Sequence, residues 1–344
     1  MRRDGPFPGL IGALAARAYE GAIARRNRRF DAGQGVIRFD RAVISVGNLS
    51  VGGTGKTPMV RWIVSGLLAA GYRPCIAMRG YRGGGGESDE AAEHATALAG
   101  VPIVAQPNRA EGLIRLFGRE YDADGPHSDC IVLDDGFQHR RIARDLDLVL
   151  IDATRDPFAD RLLPAGWLRE PVESLRRAQA VVLTHAEAAA PSALTSIERE
   201  VSRVSPGVLT AVARHHWTPM LDSSAGEPVA IGSIQGRRVV VACAIGNPGP
   251  FLARARQALG GPPAAEVVLR DHDPYSPGTV RRITEAARGA HAILITAKDW
   301  SKLSSRGPWP CPVLRPRLAM NFDRGGEELM ELVLETAKAG APED

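Results

Sequence analysis

Residues 43–57, Val43-Ile-Ser-Val-Gly-Asn-Leu-Ser-Val-Gly-Gly-Thr-Gly-Lys-Thr57, decide the fold of this chain. The apolar start of the segment is typical of a buried strand, and an apolar helical period follows its glycines. Gly52, Gly53 and Gly55 allow backbone amides to approach phosphate oxygens, and the start of a helix favours negative charge. The segment therefore predicts a phosphate-binding loop (P-loop) over residues 50–57.

The predicted loop carries the side chains that ATP-dependent phosphoryl transfer uses. Lys56 is placed to reach the terminal phosphates, and Thr57 is placed to ligate Mg²⁺. The strict pattern has glycine five residues before Gly55, where this chain has Ser50, so the loop is a variant. The predicted ATP-binding residues are Ser50, Val51, Gly52, Gly53, Thr54, Gly55, Lys56 and Thr57.

Beyond the loop, apolar runs alternate with helical patterns. This alternation predicts an α/β fold, a P-loop NTPase-like parallel sheet with helices on both faces, plus a second, smaller α/β domain. We assign residues 31–210 to a P-loop kinase domain, 211–236 to an extended linker with several turn residues, and 237–344 to the smaller domain. The predicted strands of the larger domain are Val43–Val46, Cys75–Met78, Ile131–Leu133, Leu148–Ile151 and Val181–Leu183.

The basic charge of the chain is concentrated at the N-terminus. Residues 1–41 hold nine arginines and four acidic residues, and the rest of the 344 residues is nearly neutral. We therefore expect no nucleic-acid partner for the body of the chain. Its four cysteines are scattered without metal-ligand spacing, which argues against a disulfide framework or a structural zinc site.

The first 30 residues combine an apolar helical face with a basic end. Apolar residues within 6–24 recur at helical spacing, and four arginines follow within 25–29. The pattern predicts an amphipathic helix over residues 1–30 that lies on a membrane surface, with packing on its own domain as the alternative. Arg17 and Glu20 interrupt the apolar run, which argues against a membrane span.

A second motif, Ile131-Val-Leu-Asp-Asp-Gly-Phe-Gln-His-Arg-Arg141, is an apolar strand that ends in two acids. The carboxyl ends of parallel strands form the ligand-binding edge of such a sheet, and acids there hold Mg²⁺ or its waters. Asp152 ends a similar apolar run, so the residues leave the magnesium acid open between these positions. His139, in the same motif, is either a functional group or a loop hydrogen-bonding residue.

These segments together resemble the tetraacyldisaccharide 4′-kinase family, the lipid A 4′-kinases of Gram-negative bacteria. The resemblance extends from about residue 6 to residue 303. Two departures from the usual family pattern are present: the order Arg79-Gly-Tyr-Arg-Gly83 replaces RGYGR, and Ala297 replaces a glutamate. The resemblance is carried by SVGNLSVGGTGKTP at 45–58, RGYRG at 79–83, DDGFQHRRIARDLDLVLID at 134–152, LLPAGWLREP at 162–171, RDHDPY at 270–275 and TAKDWSKL at 296–303.

The resemblance implies transfer of the γ-phosphate of ATP, with Mg²⁺, to the 4′-hydroxyl of a tetraacylated glucosamine disaccharide 1-phosphate. This lipid would be met at the cytoplasmic face of the inner membrane. The resemblance also implies that Asp89 abstracts the hydroxyl proton, assisted by His272 of the second domain. It further implies that Asp134 and Asp135 assist binding of Mg²⁺-ATP and transfer, and we expect Asp134 at the metal with Thr57 and Asp135 among the catalytic residues.

Three further residues are candidates near the substrate or behind the site. Arg169 and Glu170 match the LREP element of the family. Arg109 is a candidate partner for an anionic substrate phosphate.

Two other functions remain open from the residues alone. A membrane-attached nucleotide switch would use the same loop to control a protein partner. The guanine reader typical of many switches, Asn/Thr-Lys-x-Asp, is not matched by Thr296-Ala-Lys-Asp299, in which the lysine comes one place late. The second alternative is a small-molecule kinase that shares the chemistry but does not bind a membrane.

Overall fold

The computed structural model describes residues 5–7, 9–80, 89–123, 127–246, 248–270 and 273–340. The chain divides into two compact units. Unit 1 contains the chain up to His215 and again from Met320 onward, and unit 2 is the continuous segment His216–Ala319.

Unit 1 is built on a parallel sheet in the order β7-β6-β5-β1-β4-β2-β3. Its inner strands are apolar and buried along their whole length, as expected of a parallel sheet covered on both faces. The five predicted strands are all present. The strands are β1 Ala42–Asn48, β2 Pro74–Met78, β3 Ile103–Ala105, β4 Cys130–Asp134, β5 Leu146–Asp152, β6 Ala180–Thr184 and the first part of β7 Leu209–Ser223.

Helices cover both faces of this sheet. Ile44 and Val46 of β1 pack in one apolar cluster with α2 and α9, whereas Val43 packs in another cluster with α4, because successive strand residues point to opposite faces. The helices of unit 1 are α1 Gly9–Asp31, α2 Lys56–Ala69, α3 Asp89–Ala97, α4 Arg109–Tyr121, α5 Pro191–Val204 and α9 Gly326–Ala339, with short 3₁₀ helices at Pro157–Ala159, Val172–Arg177 and Ala186–Ala188.

The register of the central strands brings the predicted motifs to one edge. In the parallel pairs, Val46 of β1 lies opposite Asp134 of β4 and Leu148 of β5. The loop that follows β1 and the acids that end β4 therefore emerge side by side at the carboxyl edge of the sheet.

Helix α1 exposes an apolar surface near its N-terminal end. Phe7, Leu10, Ile11 and Leu14 are 63%, 84%, 81% and 65% exposed, and Ile23 is buried. Within the residues that the structure describes, no helix has both the length and the apolar character needed to cross a bilayer.

Unit 2 is a second α/β unit with a parallel sheet in the order β10-β9-β11-β12. Apolar residues of β9 and β11 form two clusters on its opposite faces. Its strands are β8 Val229–Ala230, β9 Val239–Cys243, β10 Ala265–Val268, β11 Ala292–Leu294 and the first part of β12 Val313–Arg324, and its helices are α6 Gly249–Leu259, α7 Pro277–Ala286, α8 Ala297–Leu303 and a 3₁₀ helix at Ile231–Ile234.

The unit boundaries differ from the sequence assignment. Residues 211–236, expected as a linker, contain most of the 15-residue strand β7, and the turn residues 223–226 only connect β7 to β8. Residues from Met320 onward belong to unit 1, not to the smaller unit, because the apolar face of α9 completes the core cluster around α2. Turn-forming residues were misread here as a domain linker.

Candidate active site

The predicted P-loop connects β1 to α2. Gly55 caps α2 with a left-handed backbone (φ 82°), and a Cβ atom there would lie 2.5 Å from Nε2 of His215. Gly52 has φ 129°, which side chains rarely permit. Both positions therefore require glycine, which keeps the backbone amides at the start of α2 accessible to a phosphate.

Side chains from the sheet hold the P-loop from within. Nδ2 of Asn48 donates to the carbonyl oxygen of Ser50 at 2.8 Å and to Oγ1 of Thr54 at 2.9 Å. Oγ1 of Thr184 donates to the carbonyl oxygen of Thr54 at 2.9 Å. The loop is thus fixed before any ligand arrives, which lowers the entropy cost of binding.

The LREP element holds the outer side of the same loop. The amide of Val51 donates to the carbonyl oxygen of Trp167 at 2.9 Å, and the amide of Arg169 donates to that of Leu49 at 2.7 Å. Ser50, the residue that departs from the strict pattern, lies opposite Leu168 in this short antiparallel pairing. The variant loop is therefore paired like a strand edge at the position where the strict pattern has glycine.

Asp135 lies among positive charges. Its backbone is left-handed (φ 52°), which turns its carboxylate toward Lys56 Nζ, 3.5 Å away, and Arg169 Nη1, 2.9 Å away. Arg109 Nη1 donates to its carbonyl oxygen at 3.1 Å. Burial alone would raise the pKa of Asp135, but Lys56 and Arg169 lower it below its usual value.

Asp134, one residue earlier, has a different partner. Asp134 is buried, with 4% of the residue exposed, and its Oδ2 lies 3.1 Å from Nε2 of His94. His94 is completely buried in α3. It was not among the predicted residues, since a histidine in the alanine-rich stretch 91–97 has no motif to mark it.

A cavity of about 170 Å³ brings these residues together. It includes Glu90, a third acid that sequence reasoning missed although it follows Asp89 directly. Burial and the nearby Asp134 carboxylate raise the pKa of Glu90 above its usual value. The cavity is lined by Gly52, Lys56, Thr57, Met78, Arg79, Glu90, Asp134, Asp135 and Arg169.

The predicted catalytic base, Asp89, is described only in part, and its predicted assisting histidine, His272, is not described. Asp89 is the first residue of α3, next to Glu90 of the cavity, but its side chain is not described. His272 lies outside the described residues. Their roles remain predictions.

Two other candidates are held by protein groups. Glu170 is completely buried, and its carboxylate binds Arg26 at 2.8 Å and Arg177 at 2.7 Å. Asp152 lies 3.4 Å from Nδ1 of His185. Burial would raise the pKa of Asp152, but its hydrogen bonds from His185 and Thr154 lower it.

His139 lies in the turn after the acid pair. Its amide donates to the carbonyl oxygen of Gly136 at 2.7 Å, and its own carbonyl oxygen accepts from Arg144 at 3.4 Å. Burial, followed by the surrounding arginines with Arg109 first, lowers the pKa of His139 from 6.5 to about 4. The side chain is therefore neutral at physiological pH.

The cavity has the donor set of a site that Mg²⁺ shares with a bound phosphate. Within the described ranges, three or more His, Cys, Asp or Glu side chains do not converge into a metal cage. Magnesium is commonly held by one or two carboxylates, waters and substrate phosphates. Thr57 and Asp134 line the cavity with Lys56, so the residues fit a metal of this kind.

The sequence profile of a family described as tetraacyldisaccharide-1-P 4′-kinase (LpxK) matches residues 10–335. The chain belongs to this family. It is similar to the tetraacyldisaccharide 4′-kinase of Anaeromyxobacter sp. (strain K), with 35% identity over 99% of this chain and 94% of the relative. It is also similar to that of Geobacter sulfurreducens, with 34% identity over 91% of this chain and 89% of the relative.

A solved structure agrees with this membership. The structure of LpxK from Aquifex aeolicus in complex with ATP superposes on this LpxK-family chain with a TM-score of 0.73 and 30% identity, covering 94% of this chain and 98% of the other. The predicted family, the P-loop kinase fold and the phosphotransferase class, with an alcohol group as acceptor, are confirmed. The membrane-attached switch is not favoured.

Proposed function

We propose that this chain transfers the γ-phosphate of ATP to the 4′-hydroxyl of a tetraacyldisaccharide 1-phosphate in lipid A biosynthesis. The observation that carries the proposal is the cavity in which Lys56, Thr57, Asp134 and Asp135 meet at the carboxyl edge of the sheet of an LpxK-family chain. An ATP-bound structure among the similar proteins supports ATP as the donor.

The cationic groups of the cavity would bind and neutralise the terminal phosphates. The amides of residues 50–57 would surround the phosphates, and Lys56, in the first turn of α2, would reach them. Arg169 holds the Asp135 carboxylate, and this carboxylate holds the ammonium group of Lys56. A phosphate that enters the cavity would therefore meet a Lys56 side chain already in position. Positioning and charge neutralisation carry most of phosphoryl transfer.

Thr57 and Asp134 would hold Mg²⁺. A bound magnesium ion supplies charge neutralisation between neighbouring phosphate oxygens. Asp134 suits this role because its contact with buried His94 fixes the carboxylate before the ion binds.

Asp89 would act as the base toward the sugar hydroxyl. A positioned base contributes roughly 10²–10⁴-fold to such a transfer. The position of Asp89 at the start of α3, next to Glu90 of the cavity, supports this role. Assistance by His272 rests on the resemblance of RDHDPY to the family motif.

The lipid substrate would be reached at the cytoplasmic face of the inner membrane, with the enzyme bound peripherally. The exposed apolar residues near the N-terminal end of α1 can enter the interface, and Arg28 and Arg29 of its last turn can contact anionic headgroups. The near neutrality of the chain after residue 41 supports the absence of a nucleic-acid partner.

The proposal is tested by incubating the purified chain with ATP, Mg²⁺ and the tetraacyldisaccharide 1-phosphate in mixed micelles. We expect mass spectrometry to show one added phosphate on the non-reducing sugar. Lys56→Ala should abolish the product, because Lys56 is the group proposed to neutralise the transferred phosphate. Asp89→Asn should lower turnover far more than ATP affinity. Slow ATP hydrolysis without phosphorylated lipid would instead indicate a nucleotide switch.

Membrane docking has its own test. Leu10→Ser with Leu14→Ser should reduce cosedimentation with anionic phospholipid vesicles, because each leucine buries apolar area at the interface. Ile114→Ser, at a residue of α4 that is 56% exposed, is the matched control. Full retention of the double variant on vesicles would contradict docking through the apolar end of α1.

A further inference from the structure

Glu170 is a buried carboxylate held by α1. Oε1 accepts from Arg26 Nη2 at 2.8 Å, and Oε2 accepts from Arg177 Nη2 at 2.7 Å and from Asn27 Nδ2 at 3.4 Å. A fully buried charge is tolerated only when it is paired and hydrogen-bonded, and removal of one partner is costly. Among the described residues, two of the three partners of Glu170, Arg26 and Asn27, lie on α1, so this helix is bound firmly at this point.

The neighbouring residue, Arg169, connects α1 to the phosphate site. Tyr19 Oη donates to the carbonyl oxygen of Arg169 at 2.9 Å. The amide of Arg169 donates to the carbonyl oxygen of Leu49, the residue just before the P-loop, and its guanidinium contacts both carboxylate oxygens of Asp135, at 2.9 and 3.0 Å. Helix α1 therefore holds the carbonyl of Arg169 and the side chain of Glu170, on either side of one peptide bond.

A second connection runs from α1 to the loop after the acid pair. Arg140 Nη2 donates to Oδ1 of Asp31 at 2.6 Å, and Arg140 Nη1 donates to the carbonyl oxygen of Asn27 at 3.2 Å. Tyr19, Ile23 and Arg26 recur at helical spacing, and Ile23 is buried between the two polar anchors. The inward face of α1 is thus an ordered contact with residues around the candidate site.

We propose that Tyr19 and Arg26 are positioning residues for phosphoryl transfer. They hold Arg169 and Glu170 in place so that Arg169 fixes Asp135 beside Lys56. Helix α1, which is proposed to contact the membrane, therefore also helps to position the active site. The proposal rests on the function proposed above. If it is correct, turnover depends on side chains of α1 that lie more than 100 residues from Arg169 and Glu170 in the sequence.

The test compares Arg26→Gln with Arg25→Gln. Arg25 is exposed on the same turn of α1, so both variants remove one positive charge from the helix and should lose the same affinity for anionic vesicles. Arg26→Gln should lower kcat by about 10- to 100-fold with a much smaller change in KM for ATP, because small misplacements in an active site cost about this much. Arg25→Gln should leave kcat unchanged, and Arg26→Lys should restore part of the loss.

Tyr19→Phe provides a variant that removes a single hydroxyl and keeps the aromatic packing. It should lower kcat about threefold to tenfold, as expected for one lost hydrogen bond of about 1 kcal/mol. Circular dichroism and thermal melting establish that each variant is folded. Equal kcat values in Arg26→Gln and Arg25→Gln, or an unchanged Tyr19→Phe, would overturn the proposal.

Hydrogen exchange provides a readout that does not need the reaction. Arg26→Gln should increase amide exchange in residues 167–171 and 134–141 relative to Arg25→Gln, because the restraint on these segments is lost. Equal exchange would contradict the inference even if the wild-type chain is active. If Arg26→Gln increases exchange as expected but the wild-type chain makes no phosphorylated lipid, only the proposed function is contradicted.

Discussion

Asp134 and Asp135 are consecutive residues at the end of β4, but different parts of the chain hold them. Asp134 is buried against His94 of α3, whereas Asp135 lies with Lys56 and Arg169. Arg169 in turn is held by α1 through its own carbonyl and through Glu170. The Asp134 side of the cavity therefore depends on α3, which begins with the predicted base Asp89. The Asp135 side depends on α1, the helix with the exposed apolar end.

This difference separates two tasks within one cavity. The Asp134 side gathers acids, including Glu90, and suits a metal ion. The Asp135 side gathers cations and suits phosphate. Adjacent residues can serve such different tasks because Asp134 has a strand backbone and Asp135 a left-handed one, which sends the two carboxylates in different directions.

The largest expected effect distinguishes the two acids directly. Asp134→Asn should lower turnover by about 10³-fold and raise the Mg²⁺ concentration needed for half-maximal rate, because the carboxylate proposed to hold the ion is lost. Asp135→Asn should lower turnover by about 10²-fold without changing the Mg²⁺ requirement, because it releases Lys56 and Arg169. Turnover measured against Mg²⁺ concentration tests this, and an equal shift in both variants would contradict the division of tasks.

A smaller effect is expected from the residue behind Asp134. His94→Leu should lower turnover by about tenfold and raise the Mg²⁺ requirement, because the contact that orients Asp134 is lost. His94→Asn keeps a hydrogen-bond donor and should recover part of the rate. His127→Leu, at an exposed histidine, serves as the control. An unchanged Mg²⁺ requirement in His94→Leu would show that Asp134 needs no support from α3.

The smallest effect concerns stability on the cationic side. The folded chain keeps His139 neutral down to about pH 4, whereas the unfolded chain protonates it near 6.5. Between these values the unfolded state binds more protons, so the free energy of unfolding falls as pH falls. His139→Gln should therefore reduce the loss of stability between pH 7 and pH 5 by about 1–2 kcal/mol. Urea unfolding at both pH values tests this, with His127→Gln as the control. If His139→Gln leaves the pH dependence of the free energy of unfolding unchanged, burial and the arginines do not lower the pKa of His139.

The sequence predicted the parts of this molecule that follow local rules. The strand before the P-loop, the helix after it and the acids ending β4 follow from apolar periodicity and from glycines that need special backbone angles. The resemblance supplied the family, which the comparisons confirm. These features are encoded within about 15 residues each, so a single pass along the chain finds them.

The missed features depend on contacts between distant segments. His94 meets Asp134 across 40 residues, and Arg26 meets Glu170 across 144, so local patterns do not mark either contact. Residues 211–236 were misread because turn residues such as Pro219 lie within the long strand β7. Glu170, matched to a motif near the active site, is completely buried among basic side chains that no periodicity reveals.

Unit 2 is one uninterrupted segment inserted into the chain of unit 1. The chain leaves unit 1 along β7 and returns along β12, and within unit 1 Arg214 and Asp323 form an ion pair at 2.7 Å beside the two crossing points. If unit 2 were removed, the two ends left in unit 1 would be neighbours, and a turn of a few residues would suffice to join them. For protein engineering, His216–Ala319 is therefore an inserted domain that could be exchanged. Strands β7 and β12 offer a place where another domain could be inserted into a P-loop kinase.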